Sequence, residues 1–263
     1  MDRAASEPTF KLASYNIHKA VGTDRRRDPQ RILKVLSEVD ADIVILQEAD
    51  RRFGQRERTL PDFLVQQHTD YVPVPFDVQH DSMGWHGNAI MVRRDIAVLE
   101  HDVLHIPYLE PRGVVTASLR LPAGPELTVF GMHLDLSGLW RVRQARAIAE
   151  LARAAQERRP TLLAGDLNEW RPNGGCLKAA STASAPWGGS TGSCTAHRWR
   201  PSSSACITAR SPRARPTTCR SGAYSEYRID VRSVWQTRLE RNGDRPHAPT
   251  GRAAPCLPSG VIC

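Results

Sequence analysis

Five side chains suited to divalent-metal and phosphate chemistry lie at the ends of apolar, strand-like stretches of this 263-residue sequence. They are two carboxylates, two amides and an imidazole: Asn16, Glu48, His133, Asp166 and Asn168. Hard oxygen ligands hold Mg²⁺, which keeps several waters and neutralises charge that builds on phosphoryl oxygens. A nearby carboxylate can orient and deprotonate a water molecule, and an imidazole can bind phosphate. These residue types therefore favour metal-dependent hydrolysis of a phosphate ester.

Each of these residues also has a simpler explanation when it is considered alone. The Gly-Asp-Leu-Asn segment at 165–168 is by itself more typical of an Asx turn that closes a strand. A lone asparagine such as Asn16 is more often a turn residue, and a lone His133 is more often an interior histidine with its hydrogen bonds satisfied. Glu48 is harder to explain structurally, because a carboxylate after a wholly apolar strand must meet a cation or water.

The segments that carry these residues alternate strand and helix patterns at the start of the chain. Residues 10–17 predict a strand that places Asn16 near its end. Asp28, followed by proline, predicts the N-cap of a helix whose apolar residues recur at helical spacing. The β-branched run 42–48 predicts a strand buried on both faces, with Glu48 at its exit. This strand, helix, strand order indicates an α/β fold.

Further strand-like segments follow, separated by proline and glycine turns, at residues 86–92, 98–104, 112–119 and 127–134. Their spacing predicts a meander more than repeated strand–helix–strand units. A long helix is predicted over 139–158, with its arginines outside and four residues on the inner face: Ala145, Ile148, Ala149 and Ala152. Pro160 ends this helix, and the strand that follows delivers Asp166.

The net charge of +8 and the cysteines are concentrated in the last third of the chain. Residues 1–178 contain 24 Lys+Arg and 24 Asp+Glu, which leaves 12 of the 36 basic and 4 of the 28 acidic residues for 179–263. Those 12 are all arginine, and all six cysteines lie at position 176 or later. No two cysteines have CxxC spacing, so a zinc site and a disulfide framework both lack support. Beyond about residue 178, neither strand nor helix periodicity is sustained until about residue 227.

No apolar stretch of the sequence is long enough to span a bilayer, and residues 1–8 lack the apolar segment of a signal peptide. A cytoplasmic location and a monomer are therefore expected. The basic tail also raises the alternative of a nucleic-acid-binding module, but this alternative depends only on the tail's arginines.

Six short motifs in this order resemble those of the endonuclease/exonuclease/phosphatase family, the DNase-I-like fold. They are Ser-Tyr-Asn-Ile-His-Lys at 14–19, Leu-Gln-Glu at 46–48, His-Gly-Asn-Ala at 86–89, Arg-Gly at 112–113, His-Leu at 133–134 and Ala-Gly-Asp-Leu-Asn-Glu-Trp at 164–170. The resemblance implies a four-layer α/β sandwich, in which two sheets pack face to face under outer helices. It covers residues 9–178, so residues 1–178 are expected to form an incomplete domain of this family.

The resemblance also assigns roles to the residues that end the predicted strands. It implies that Glu48 is the principal ligand of Mg²⁺, with Mn²⁺ as an alternative, and that Asn16 lies beside it. It implies that Asp166 orients the nucleophilic water, that Asn168 contacts the phosphate and that His133 stabilises the phosphoryl oxygens.

Two further residues, Arg112 and Asn88, match positions near the family's cleft and are expected to bind substrate. The implied substrate is a phosphodiester or phosphomonoester. DNA, RNA, inositol phosphates and phospholipid head groups all remain open, because specificity resides in loops that one sequence does not decode.

The tail departs from the family pattern. Family members close with an Asp-Arg-Ile strand and a Ser-Asp-His-x-Pro segment, and neither motif occurs here. The genetic code allows residues 215–220 to be encoded by CGT CCG ACC ACC TGC CGC, one of many possible codon sets, and this set read from its third base gives Ser-Asp-His-Leu-Pro. We therefore interpret 179–263 as a tail in a shifted reading frame that begins near 176–182.

Two consequences follow from the shifted-frame interpretation. The closing strands of the second sheet are expected to be missing, and the activity is expected to be impaired. The alternative interpretation of the whole chain is a non-catalytic remnant or binding protein that retains most of the fold.

Overall fold

The computed structural model describes residues 9–51, 57–76, 78, 80–122, 124, 126–169 and 175–176, together with the backbone of 224–230. The strands are β1 (Thr9–Asn16), β2 (Ile43–Gln47), β3 (Tyr71–Pro73), β4 (Ala89–Arg93), β5 (Ala97–Leu104), β6 (Val114–Arg120), β7 (Glu126–His133), β8 (Thr161–Asp166) and β9 (Tyr224–Asp230). The helices are α1 (Pro29–Val39), α2 (Asp62–His68) and α3 (Gly138–Gln156), and His18–Ala20 forms a short 3-10 turn.

The strands form two sheets, with the orders β3-β4-β2-β1-β9 and β5-β6-β7-β8. Both are mixed: β1 is parallel to β2 and β7 is parallel to β8, while the other pairs are antiparallel. One apolar cluster lies between the sheets and combines Leu12 and Ile45 of the first with Val115 and Val129 of the second. The predicted α/β fold is confirmed.

The outer faces of the two sheets are covered by helices. Val44 and Leu46 of β2 pack in one cluster with Leu33 and Leu36 of α1. On the other side of the molecule, a third cluster joins the second sheet to α3, through Ile148 among others. Alternate side chains of β2 face the core between the sheets and the face covered by α1. All five β2 residues are therefore buried, as the sequence predicts.

Helix α1 begins where the sequence places its start. The side chain of Asp28 accepts a hydrogen bond from the backbone N–H of Arg31 at 3.1 Å, and Pro29 is the first helical residue. This cap satisfies one of the N–H groups that a helix leaves unpaired at its start. Asp40, in the left-handed conformation, ends the helix and turns the chain towards β2.

The predicted meander is correct for β5, β6 and β7 but wrong for the strand before them. β4 pairs antiparallel with β2 in the first sheet, and its neighbour in sequence, β5, begins the second sheet. A short turn at residues 94–96 connects the sheets. Periodicity identifies strands but carries no information about their partners, so the sequence placed four strands together where the structure divides them.

β9 lies beyond residue 178, inside the segment interpreted as a shifted-frame tail. Its backbone pairs antiparallel with β1 of the first sheet, from Thr9 opposite Asp230 to Tyr15 opposite Tyr224. The predicted loss of strands from the second sheet concerns residues outside the described part of the chain. The predicted domain boundary near residue 178 stays a prediction.

None of the described helices has the length and apolar character needed to cross a membrane.

Candidate active site

The carboxyl ends of the two parallel strand pairs meet at one edge of the packed sheets. On one sheet β1 ends at Asn16, and on the other His133 of β7 lies opposite Asp166 of β8. The amide Nδ2 of Asn16 donates a hydrogen bond to Oδ2 of Asp166 at 3.0 Å. Residues 150 positions apart in sequence are therefore joined directly across the two sheets.

Asp166 is held by two donors while it is almost completely buried, at 1% exposure. Besides the bond from Asn16 to Oδ2, the backbone N–H of Asn168 donates to Oδ1 at 2.9 Å. Burial raises the pKa of Asp166 and outweighs the hydrogen bonds from Asn16 and Asn168 and the charge of Arg112, which lower it. A carboxylate with a raised pKa is a stronger base, as proton abstraction from water requires.

Gly165 explains how Asp166 comes so close to β7. Its φ is +152°, and a Cβ at this position would lie 1.9 Å from the carbonyl oxygen of Met132. Any larger residue would force the two strands apart. The glycine of the Gly-Asp-Leu-Asn motif therefore sets the distance between His133 and Asp166, whose Nε2 and Oδ2 atoms lie 3.8 Å apart.

Asn168 turns its side chain back into the protein. Its Nδ2 donates to the backbone oxygen of Leu134 at 2.7 Å, and its φ is 49°. A positive φ is uncommon for a residue with a Cβ and occurs often at functional sites. The predicted contact of Asn168 with phosphate stays a prediction, while its observed bonds fix the loop that follows Asp166.

Glu48 stands at the exit of β2 and is paired with Lys19, whose Nζ donates to Oε2. Burial raises the pKa of Glu48, but the hydrogen bond and charge of Lys19, with the charges of His18 and Arg112, outweigh it. The net pKa of Glu48 lies below its usual value. Glu48 also has a positive φ of 54°, which directs this carboxylate into the cleft between the sheets.

His133 and Arg112 form a second pair in the cleft. The Nη1 atom of Arg112 contacts both ring nitrogens of the imidazole, at 2.8 Å from Nδ1 and closer to Nε2, and Nη2 donates to Oε2 of Glu110 at 3.2 Å. Burial lowers the pKa of His133 well below 6.5, and the charges of Arg112 and Lys19 lower it further. His133 is therefore a neutral imidazole next to a guanidinium cation.

The buried neutral imidazole makes stability depend on pH. The unfolded chain protonates His133 near its usual pKa of 6.5, but the folded chain does so only at much lower pH. The contribution of the neutral imidazole to the free energy of unfolding is therefore complete above pH 6.5, and it is lost as pH falls towards the pKa of His133 in the folded chain. In wild type, the free energy of unfolding should fall by up to about 1.4 kcal/mol for each pH unit below 6.5, because the unfolded chain takes up a proton on His133. Between about pH 7.5 and 5.5, we expect His133→Gln to lack this decrease.

Urea unfolding of both proteins across this pH range measures the difference. His68→Gln is the matched control, because His68 is exposed at the end of α2. An equal pH dependence in wild type and His133→Gln would show that His133 is not buried in its neutral form.

Asn88 is completely buried and is not among the residues that line the cleft. Its Nδ2 donates to the backbone oxygen of Gly113 at 2.9 Å and to that of Trp85 at 3.3 Å. Gly113 directly follows Arg112, so Asn88 anchors the segment that presents the guanidinium. The expected contact of Asn88 with substrate stays a prediction.

Sequence reasoning missed Lys19, although the motif at 14–19 contains it. Its position one turn after β1 follows only from the 3-10 turn, which the sequence did not predict. Sequence reasoning also missed Asp135, which has no solvent exposure. Its Oδ2 accepts from the backbone N–H groups of Leu109 and Glu110, at 3.0 and 3.4 Å, and so holds the loop that leads to Arg112.

Glu48 and Asn16 offer oxygen atoms of the kind that Mg²⁺ takes as ligands. Within the described residues, no three His, Cys, Asp or Glu side chains are grouped to hold a metal. Mg²⁺ does not need such a group, because it keeps several waters and takes one or two carboxylates plus substrate oxygens. Glu48 supplies a carboxylate, and Oδ1 of Asn16 supplies an amide oxygen that already accepts from the N–H of His18 at 3.1 Å.

Solved structures share this fold. An endonuclease/exonuclease/phosphatase from Beutenbergia cavernae superposes with a TM-score of 0.56 at 18% identity, over 85% of this chain and 72% of its own. TDP2 of D. rerio, complexed with single-strand DNA product, superposes with a TM-score of 0.52 at 15% identity, over 85% of this chain and 98% of its own. A humanized D. rerio TDP2 superposes with a TM-score of 0.50 at 19% identity, over 65% of this chain and 66% of its own.

Sequence comparisons place the chain in a family. The uncharacterized protein YbhP of Escherichia coli is 28% identical over 172 residues, which are 62% of this chain and 68% of that protein. The model of the endonuclease/exonuclease/phosphatase family matches residues 13–245, most of the chain, including β9. The chain therefore belongs to the endonuclease/exonuclease/phosphatase family.

Proposed function

We propose that this protein is a Mg²⁺-dependent phosphoesterase with its active site in the cleft between the two sheets. The observation that carries the proposal is the hydrogen bond from Asn16 to the buried Asp166, because it unites residues from both sheets beside His133. A base of raised pKa, a neutral imidazole and the partly exposed carboxylate of Glu48 are the parts that hydrolysis of a phosphate ester by water requires.

Glu48 and Asn16 would hold the ion, with Mn²⁺ as an alternative to Mg²⁺. When bound, the ion supplies neutralisation of the negative charge that develops on the phosphoryl oxygens. Asn16 has a second task, because its Nδ2 fixes Oδ2 of Asp166. One asparagine thus links the ligand side of the site to the base.

Asp166 orients the attacking water and takes its proton. Asn16 and the backbone N–H of Asn168 hold the carboxylate in one orientation, so little reorganisation accompanies the reaction. His133, a neutral imidazole, donates a hydrogen bond to a phosphoryl oxygen, and the guanidinium of Arg112 beside it adds a positive charge. Charge-assisted donors of this kind act most strongly in a partly buried site.

A nucleotide is the substrate that the rings beside the cleft favour. Trp85 and His86 pack with centroids 4.1 Å apart, and Tyr108, which is half exposed, lies 6.2 Å from His86. Aromatic faces next to a phosphate site bind unstacked bases. Support also comes from D. rerio TDP2, the fold relative that was solved with a single-strand DNA product.

Hydrolysis of bis(p-nitrophenyl) phosphate by concentrated protein tests the proposed activity. We expect hydrolysis to require Mg²⁺, to stop on addition of EDTA, and to fall at least about 100-fold in Glu48→Gln, which removes the ligand charge. Glu38→Gln, on the exposed side of α1, makes the same chemical change away from the cleft and should have no effect. Activity that survives Glu48→Gln would locate the reaction elsewhere and overturn the proposal.

A further inference from the structure

Lys19 occupies the side of Glu48 that a divalent ion needs. Its Nζ is bonded to Oε2 of Glu48, and the two side chains retain 30% and 22% of their exposure. An ammonium group and a divalent ion repel each other and compete for the same carboxylate lone pairs. An ion that binds Glu48 through Oε2 would therefore displace Lys19.

The backbone keeps Lys19 at the site while its side chain is free to change partner. Lys19 has φ 57° and ψ 30°, a left-handed conformation that is uncommon for a residue with a Cβ. Its backbone N–H donates to the carbonyl oxygen of Glu48 at 3.1 Å, which fixes its Cα beside the strand exit. The lysine stem has four carbons and rotates freely, so the ammonium can move while the backbone stays in place.

The partner that Lys19 meets on leaving Glu48 is the phosphate position. Lys19 lines the same cleft as Glu48, Arg112 and His133. Its charge also acts on both Glu48 and His133, so the ammonium lies within electrostatic reach of the two halves of the site. A phosphate oxygen bound by Arg112 and His133 is the anion that would attract it.

We propose that Lys19 is a substrate-binding residue with two alternative partners, the carboxylate of Glu48 before a divalent ion is bound and a substrate phosphate oxygen afterwards. This inference rests on the proposed function. The exchange couples the two ligands: an ion at Glu48 releases Lys19 to bind phosphate, and phosphate at Lys19 releases Glu48 to bind the ion. By thermodynamic linkage, each ligand then strengthens binding of the other by the same factor.

Mn²⁺ and inorganic phosphate, titrated into the full chain, are the probes. Free Mn²⁺ is followed by electron paramagnetic resonance, and phosphate binding by calorimetry. Removing the competing ammonium in Lys19→Met should tighten Mn²⁺ binding about three- to tenfold. The same variant should bind phosphate about tenfold more weakly in saturating Mn²⁺, because a charge-assisted contact is lost. The factor by which each ligand strengthens the other should shrink accordingly.

Tighter Mn²⁺ binding together with weaker phosphate binding is a result that a merely structural role of Lys19 would not produce. Lys34→Met, an exposed lysine of α1, is the matched control and should change neither affinity. Lys19→Gln guards against misfolding of the methionine variant, and it should shift both affinities in the same directions. Unchanged or weaker Mn²⁺ binding in both Lys19 variants, with binding abolished in Glu48→Gln, would overturn the inference alone. Mn²⁺ binding that is absent in wild type, or unaffected by Glu48→Gln, would instead overturn the proposed metal site and the inference with it.

Discussion

Restoring the alternative reading frame from about residue 180 is expected to raise turnover of a phosphodiester by about 10² to 10⁴. The Asp-His pair that family members carry near their end would bring a second imidazole to the phosphate and a carboxylate that orients it. Their stabilisation is expressed only as charge develops in the transition state, so the gain should appear in kcat more than in KM. The restored chain should also melt at a higher temperature, since it supplies the closing strands of the second sheet.

The comparison needs both proteins and one substituted control. Mutating the restored histidine to alanine should return turnover towards that of the present chain while leaving the higher melting temperature. If the chain as it stands already matches the restored protein in both turnover and melting temperature, residues 179–263 are native sequence and the shifted-frame interpretation is wrong.

Asp166→Asn is expected to reduce kcat about 10³-fold, with little change in KM. The amide oxygen of asparagine can accept only one of the two hydrogen bonds that Asp166 receives, from Asn16 or from the backbone N–H of Asn168, so the variant keeps one of these contacts and loses the other. Asparagine cannot take a proton from water, so the chemical step should suffer most. Steady-state kinetics on the restored-frame protein give the range needed to measure so large a loss.

Asp95→Asn is the matched control for this substitution, because Asp95 is exposed in the turn between the sheets. Near-normal turnover in Asp166→Asn would show that another group takes the proton. A loss confined to KM would assign Asp166 to substrate binding instead of proton transfer.

The strands and their functional ends could be predicted because the signals are local. The apolar run before Glu48, the Asp28 cap and the glycine before Asp166 each specify structure within a few residues, and the structure contains all three elements. The convergence of Asn16 and Asp166 needed more, since they are 150 residues apart. It was expected only from family resemblance, because hydrophobic periodicity is silent on which strands are neighbours.

The contacts that tune the site could not be predicted, for two physical reasons. The pairing of Lys19 with Glu48 depends on a turn whose residues adopt the left-handed conformation. None of these residues is glycine, so the sequence gives no signal for the turn. The partial burial of polar residues on α3 was also missed: Arg141 was expected outside with the other arginines, but it is buried and donates to the backbone oxygen of Asp135. A charged residue in a helical pattern is normally read as the solvent face, and only its partners reveal otherwise.

A group of buried polar residues, Asp135, Arg141, Gln144 and Glu169, limits how this cleft could be transferred to another protein. Asp135 exchanges hydrogen bonds with Gln144, through its backbone N–H at 2.9 Å and its carboxylate at 3.3 Å. In the same group of residues, Nη2 of Arg141 lies 3.8 Å from Oε1 of Glu169. Each group removed alone leaves a buried partner unsatisfied, at a cost of about 1–3 kcal/mol, whereas exchanging interacting groups together avoids that cost. Transferring the reactive side chains alone to another scaffold would therefore give an inactive site, unless these supporting residues were transferred with them.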